Sequence, residues 1–99
     1  MVRMPIEFIA DAEHDVDDAF NWYFARSTEA ASRFLVALRN SIELIAAGPE
    51  HWPLYAETTR SCPLRKFPYR VVFVVMSDRV RVVAVTHERR KPGYWNKRS

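Results

Sequence analysis

The groups able to do chemistry are crowded into the second part of the chain. Residues 60–99 hold eleven lysines and arginines against two acids, Asp78 and Glu88, while residues 1–59 hold four arginines against ten acids. A basic excess of this size attracts phosphates or an acidic protein segment. The plainer counterpart is a solvated face of cations on an exposed sheet. Imidazole is the side chain that exchanges protons nearest neutrality, which makes His87 a candidate acid or base; a strand-end histidine held by hydrogen bonds is the structural alternative. Tyr94 and Trp95 are adjacent aromatics that either pack the tail onto a sheet or anchor a partner. His14 and Asp18 stand four apart and can touch on a helix, but two groups do not hold a metal. Cys62 is the lone cysteine. It has no disulfide partner in the chain and reads as a small apolar filler. No metal and no cofactor are expected.

The frame for these groups is small. The chain has 99 residues, 48% apolar and 27% charged, with a net charge of +3. That is one domain, residues 1–99, too hydrophobic and too weakly charged for disorder. The longest apolar run, VVFVVM at 71–76, is far too short to span a membrane. The N-terminal MVRMPIEFIADAEHD lacks the apolar stretch of a secretory signal. The expectation is a cytoplasmic protein held by its own core, to which a partner contributes stability.

Residues 5–9, PIEFI, alternate as a short strand with Pro5 at its start. Asp11 is placed to cap a helix whose apolar positions are Ala12, Val16, Ala19, Phe20, Tyr23 and Phe24, ending near Arg26. Ser27 and Thr28 break and cap, with Glu29 just inside the next helix. Its stripe is Ala31, Phe34, Leu35, Leu38, Ile42 and Ile45. Gly48-Pro49 stops it, glycine by taking the left-handed conformation and proline by refusing to continue. Two amphipathic helices joined this tightly form an antiparallel hairpin. Trp22, Tyr23, Phe24, Phe34 and Phe67 read as core or inter-helix packing. Residues 49–59 read as a loop, with Trp52 at the core edge or exposed for binding. Residues 60–67 read as a weak strand, edge or bulged, because of Pro63. Residues 69–76 and 80–87 read as strong antiparallel strands joined at Ser77-Asp78-Arg79. The architecture is α+β, in the order β-α-α-β-β-β. A helical hairpin packs on one face of a small, mainly antiparallel sheet. The two long strands are apolar on both faces, so something must cover the second one.

In this order the chain resembles the RelE/ParE superfamily of bacterial type II toxins. The resemblance rests on the strand leading into DAEHDVDDAFNWYFAR, the helix AASRFLVALRNSIELIAAGP, the core RKFPYRVVFVV and the tail AVTHERRKPGYW. The tail His-x-x-Arg-x-Pro-x-Tyr-Trp is closer to the ParE-type branch. The resemblance implies growth inhibition, plasmid stabilisation, and a cognate antitoxin. The antitoxin's acidic or amphipathic C-terminal segment wraps the toxin in a hetero-oligomer and neutralises it. Exposed apolar surface on a small protein fits a chain that awaits such a partner. The antitoxin is expected in the apolar groove between the helical hairpin and the sheet, as a helix, an edge strand or both.

Two activities are implied. ParE-type toxins poison DNA gyrase by protein contact; RelE-type toxins cut mRNA on the ribosome. Cutting by 2′-hydroxyl attack needs a base, cations for the phosphorane and an acid for the leaving oxygen. By resemblance Arg70 matches a phosphate-binding arginine, Arg89 or Arg90 falls where a second is expected, and Tyr94 lies near the expected aromatic. The paired lysines of the preceding strand have no counterpart, since that stretch reads Ser61-Cys62-Pro63-Leu64, with Arg65 and Lys66 out of register. The reading therefore leans against an enzyme. A gyrase-directed toxin comes first, with Arg65, Arg70, Arg89, Arg90, Tyr94 and Trp95 as target- or antitoxin-binding residues. The alternative is a ribosome-dependent endoribonuclease using Arg70, His87, Arg90 and Tyr94. A third reading is a binding module that has lost toxicity.

Overall fold

A computed structural model describes residues 3–98. The first strand, β1, is Ile6–Phe8, and helix α1 runs Ala10–Phe24. The residue before α1 is Ile9, which offers no side-chain cap. Asp11 therefore does not cap as expected; it lies with Glu13 in the first turn, where a carboxylate faces the positive end of the helix dipole. Helix α2 runs Thr28–Ala47 and is capped as expected, Ser27 Oγ accepting from the Ala30 N–H at 3.1 Å.

At the far end of α2, Gly48 has φ −164°, extended rather than left-handed. A Cβ there would stand 2.5 Å from Cδ2 of the exposed His51 ring, which would have to turn aside. The stretch 49–59, expected as loop, contains a short 3-10 turn at Pro49–His51 and a strand β2, Leu54–Ala56. Strand β3 is Thr59–Pro63, β4 Tyr69–Val75 and β5 Val80–His87. A second 3-10 turn, Tyr94–Lys97, closes the described chain. The order is thus β-α-α-β-β-β-β, one strand more than the sequence suggested.

The sheet order is β1-β5-β4-β3-β2, with β1 parallel to β5 and every other pair antiparallel. β3 is neither an edge nor bulged against β4: it pairs with β2 and β4, and Pro63 is harmless because it is the last residue, opposite Arg70. Two irregularities are present: in the β2–β3 pair Leu54 opposes Arg60 but Ala56 opposes Thr59, and between β4 and β5 Val72 opposes Ala84 but Phe73 opposes Val82. Val83 is the extra residue, and such a bulge turns two neighbouring side chains to one face.

One face of the sheet carries the helices. Phe34, Leu38 and Ile45 of α2 and Ala12 and Ala19 of α1 pack on Val71, Phe73, Val80, Val82 and Val85. Tyr23, Phe34, Phe67 and Tyr69 meet as an aromatic cluster, with centroids 5.2 to 6.3 Å apart. Trp22, Phe24 and Leu35 do not join this core, with 52%, 52% and 42% of their surface exposed. Trp22 sits off the buried stripe, and Arg26 lies over its ring at 3.7 Å. The second face has its own cluster, in which Trp95 covers Val72 and Ala84 with Tyr55, Val83 and Tyr94 around it. The chain's own tail therefore covers the face that the sequence left open.

Candidate functional site

The sequence-derived residues fall into three places. Arg70 is on β4, on the face of the second cluster. Its Nε donates to Ser61 Oγ at 2.9 Å, its Nη1 lies 3.9 Å from Glu88 Oε2, and its guanidinium stands 5.1 Å from the centre of the Tyr55 ring. Its side chain is 24% exposed. A guanidinium fixed on one edge and open on the other is suited to hold an anion, not to move a proton. The carboxylate it meets, that of Glu88, belongs to the turn after β5.

His87 lies on the opposite face. It is paired in register with Tyr69, and the two rings meet edge-on at 5.1 Å beneath α1. Arg70 is paired with Thr86, one step along the ladder. Successive strand residues point to opposite sides, so the sheet separates Arg70 from His87. The Arg89 N–H donates to His87 Nδ1 at 3.1 Å, which places the imidazole proton on Nε2. Burial pushes the Tyr69 phenol up from its ordinary value, so it stays protonated and is no ready base.

Arg90 and Tyr94 lie at the free edge of β5, where they line with His87 a cleft of about 270 Å³ together with Asp15, Asp18, Trp22 and Tyr69; Tyr94 also borders the second cluster. The Tyr94 ring has the Arg90 guanidinium at 3.7 Å and the Arg98 guanidinium at 5.0 Å. The four-residue set expected for RNA cleavage is therefore not brought together. His87, Arg90 and Tyr94 share a cleft, and Arg70 is outside it. Arg89 is exposed on the turn after β5.

Trp95 is corrected from anchor to core. It is 2% exposed, stacked on Tyr55 at 5.8 Å, and its Nε1 has no hydrogen-bond partner among the described residues. Arg65 and Lys66 form the β3–β4 turn and line neither the His87 cleft nor the second cluster. Lys66 takes φ 69°, the left-handed region. With Arg33, Val36, Ala37 and Phe67 they line a groove of about 520 Å³ along α2.

Sequence reasoning missed Asp15 and Arg98. Arg98 Nη1 and Nη2 donate to the Asp15 carboxylate at 2.7 and 3.1 Å, and Nη1 also donates to the Val83 carbonyl at 3.0 Å. Asp15 Oδ2 accepts the Val85 N–H at 3.0 Å. Both side chains are largely buried, 17% and 13% exposed, and the Asp15 hydrogen bond raises the Arg98 pKa further. No local pattern signals a contact between α1 and the penultimate residue. Among the described residues no cluster of three or more histidine, cysteine, aspartate or glutamate side chains can hold a metal, and no helix is long and apolar enough to cross a membrane.

Comparison with known proteins bears on this geometry. Residues 6–92 match the family described as ParE toxin of type II toxin-antitoxin system, parDE. No curated protein matched the chain in sequence. Among solved structures, a chain of the chromosomal ParDE toxin–antitoxin system of P. aeruginosa superposes with a TM-score of 0.75 at 15% identity, covering 86% of this chain and 96% of that one. A chain of the toxin–antitoxin complex RelBE2 from Mycobacterium tuberculosis gives 0.59 at 18% identity, covering 88% and 93%. At these identities the likeness is one of fold.

Proposed function

The chain belongs to the ParE toxin family of type II toxin–antitoxin systems, and on that premise we propose that it inhibits growth by binding a protein target, DNA gyrase, rather than by cutting RNA. The observation that carries the choice is the split of the nuclease set. A concerted 2′-hydroxyl attack needs its proton carriers and its phosphate-binding cation around one atom. Here Arg70 and His87 face opposite sides of the sheet. Binding makes no such demand. Arg70, Arg89, Arg90 and Tyr94 present cations and an aromatic ring near one end of the sheet, the side-chain types that dominate interface energetics.

A cognate antitoxin in the cytoplasm holds the toxin inactive, in a hetero-oligomer. Its docking place is the groove along α2. Val36, Ala37 and Phe67 give an apolar floor and Arg65, Lys66 and Arg33 a basic rim. An acidic amphipathic segment has the matching chemistry.

One experiment separates the readings. The chain is expressed without antitoxin, and plasmid supercoiling and message integrity are followed in the same cells. Loss of supercoiling with intact ribosome-bound message is the expected result. Message cut on the ribosome, abolished by Arg70→Ala or His87→Ala, overturns the proposal in favour of an endoribonuclease. Unimpeded growth points to a binding module without toxicity.

A further inference from the structure

Arg90 stands in a stretch with little regular structure to hold it. Residues 88–93 belong to no strand or helix, and Gly93 takes φ 98°, the left-handed region. The Arg90 side chain is exposed, and among the described residues no carboxylate lies within ion-pair distance of it. A long side chain left so samples many rotamers, and fixing one of them opposes binding.

Yet Arg90 is placed. Its guanidinium lies over the Tyr94 ring at 3.7 Å, and the same ring has the Arg98 guanidinium at 5.0 Å. Two cations at one ring repel each other unless one of them is neutralised. Asp15 neutralises Arg98, accepting two hydrogen bonds from it, and is itself fixed by the Val85 N–H. Asp11 brings a second carboxylate to 3.9 Å, and the Val83 carbonyl accepts from Nη1. Arg98 is thus tied to α1 and to β5 at once. The tail around it is clasped as well: Trp95 stacks on Tyr55, and Asn96 Nδ2 donates to Glu57 Oε1 at 2.7 Å.

We infer that Asp15 and Arg98 are positioning residues: they hold the Tyr94 ring, and through it the Arg90 guanidinium, in the arrangement that a target meets. The inference rests on the reading that Arg90 and Tyr94 contact the target. Asp15 and Arg98 act without touching it. A guanidinium laid on a ring before the encounter keeps its N–H edges free and loses less freedom on binding.

Position and binding are read separately, both in the full chain. Protons held over a ring face resonate upfield, so the Arg90 δ-protons report the contact with Tyr94 in an NMR spectrum. Tyr94→Ala supplies the value without the ring. Arg98→Ala, checked for fold by circular dichroism, is expected to move the Arg90 signal most of the way to that value. A pair that serves stability alone would lower the unfolding midpoint and leave the signal where it was, and that result overturns the inference. In gyrase inhibition, Arg98→Ala is expected to cause a loss of roughly tenfold. It should cause no further loss in a chain already carrying Tyr94→Ala, because its effect passes through that ring. Equal losses in the two backgrounds overturn the inference, as does a folded Arg98→Ala chain that inhibits like the parent. Should Arg98→Ala not fold, Asp15→Asn keeps the shape and an acceptor for the Val85 N–H but loses the charge, and the same results are required of it. A parent chain that leaves gyrase untouched sinks the target reading instead, and the Arg90 signal alone then decides.

Discussion

Arg70 and His87 occupy neighbouring strands one ladder step apart, yet the sheet lies between their side chains. Groups placed so cannot act on one atom, and they contact a bound partner, if both do, through different surfaces. Their effects are therefore independent. Arg70→Ala is expected to weaken gyrase inhibition by roughly tenfold, as loss of an interface arginine commonly does. His87→Ala contributes a separate, smaller loss. The double variant should equal the sum on a free-energy scale to within about 0.5 kcal/mol. Inhibition constants for supercoiling check this; a double variant no worse than Arg70→Ala alone contradicts it.

The α2 groove makes a second prediction. Arg65→Glu/Lys66→Glu places two acids where an acidic antitoxin segment would lie. Affinity for the cognate antitoxin should fall by at least about tenfold, with a shallower dependence on salt in the variant, because rim charges act through a screened field. Both side chains are exposed, so the thermal midpoint of the free toxin should change little. Calorimetric titration at two ionic strengths reads both quantities.

Trp95 tests the second cluster. Truncation to alanine empties a fully buried site, and the expected loss is about 3–5 kcal/mol in urea unfolding. Trp95→Phe should cost much less. It keeps most of the packing and removes the buried Nε1–H that lacks an acceptor among the described residues, a group whose burial costs about 1–3 kcal/mol. Equal losses in the two variants would show that the indole nitrogen finds a partner in solution.

Stability should fall at both ends of the pH scale, for different reasons. The Arg81 hydrogen bond holds the Glu7 carboxyl below its ordinary value against the opposing effect of desolvation, with Arg79 adding to the fall, and the Arg79 hydrogen bond does the same for Asp78. A depressed folded pKa means stability that is present above the unfolded value and lost as pH drops through the folded one. Burial raises the Tyr23, Tyr69 and Cys62 pKa values instead. Those groups favour the fold below their ordinary values of 10.0 and 9.0, and the benefit is lost as pH rises past them. Urea midpoints measured across pH should give a dome, and Glu7→Gln should flatten only its acid side.

What the sequence disclosed was mainly local. Ser27 reads as a cap and Gly48-Pro49 as a stop because each acts on residues within one turn, although the glycine backbone is extended and not left-handed. β2 escaped notice because three residues behind Pro53 carry no period, and pairing with β3 is what makes them a strand. The β-branched runs placed Arg70 near the start of one strand and His87 at the end of the next. Which face each strand turned to the helices depended on the ladder register and on the extra residue at Val83, neither of which composition reveals. Trp95 was equally compatible with anchor and core until the open face of the sheet was seen. The Asp15–Arg98 contact joins groups 83 positions apart and had no signal at all.

The parallel pairing of Ile6–Phe8 with Val80–Val82 has an effect in time as well as in space. During synthesis the first strand must wait, unpaired, until residues 80–82 have left the exit tunnel, and contacts this distant in sequence are slow to form. The sheet cannot be completed on a half-made chain.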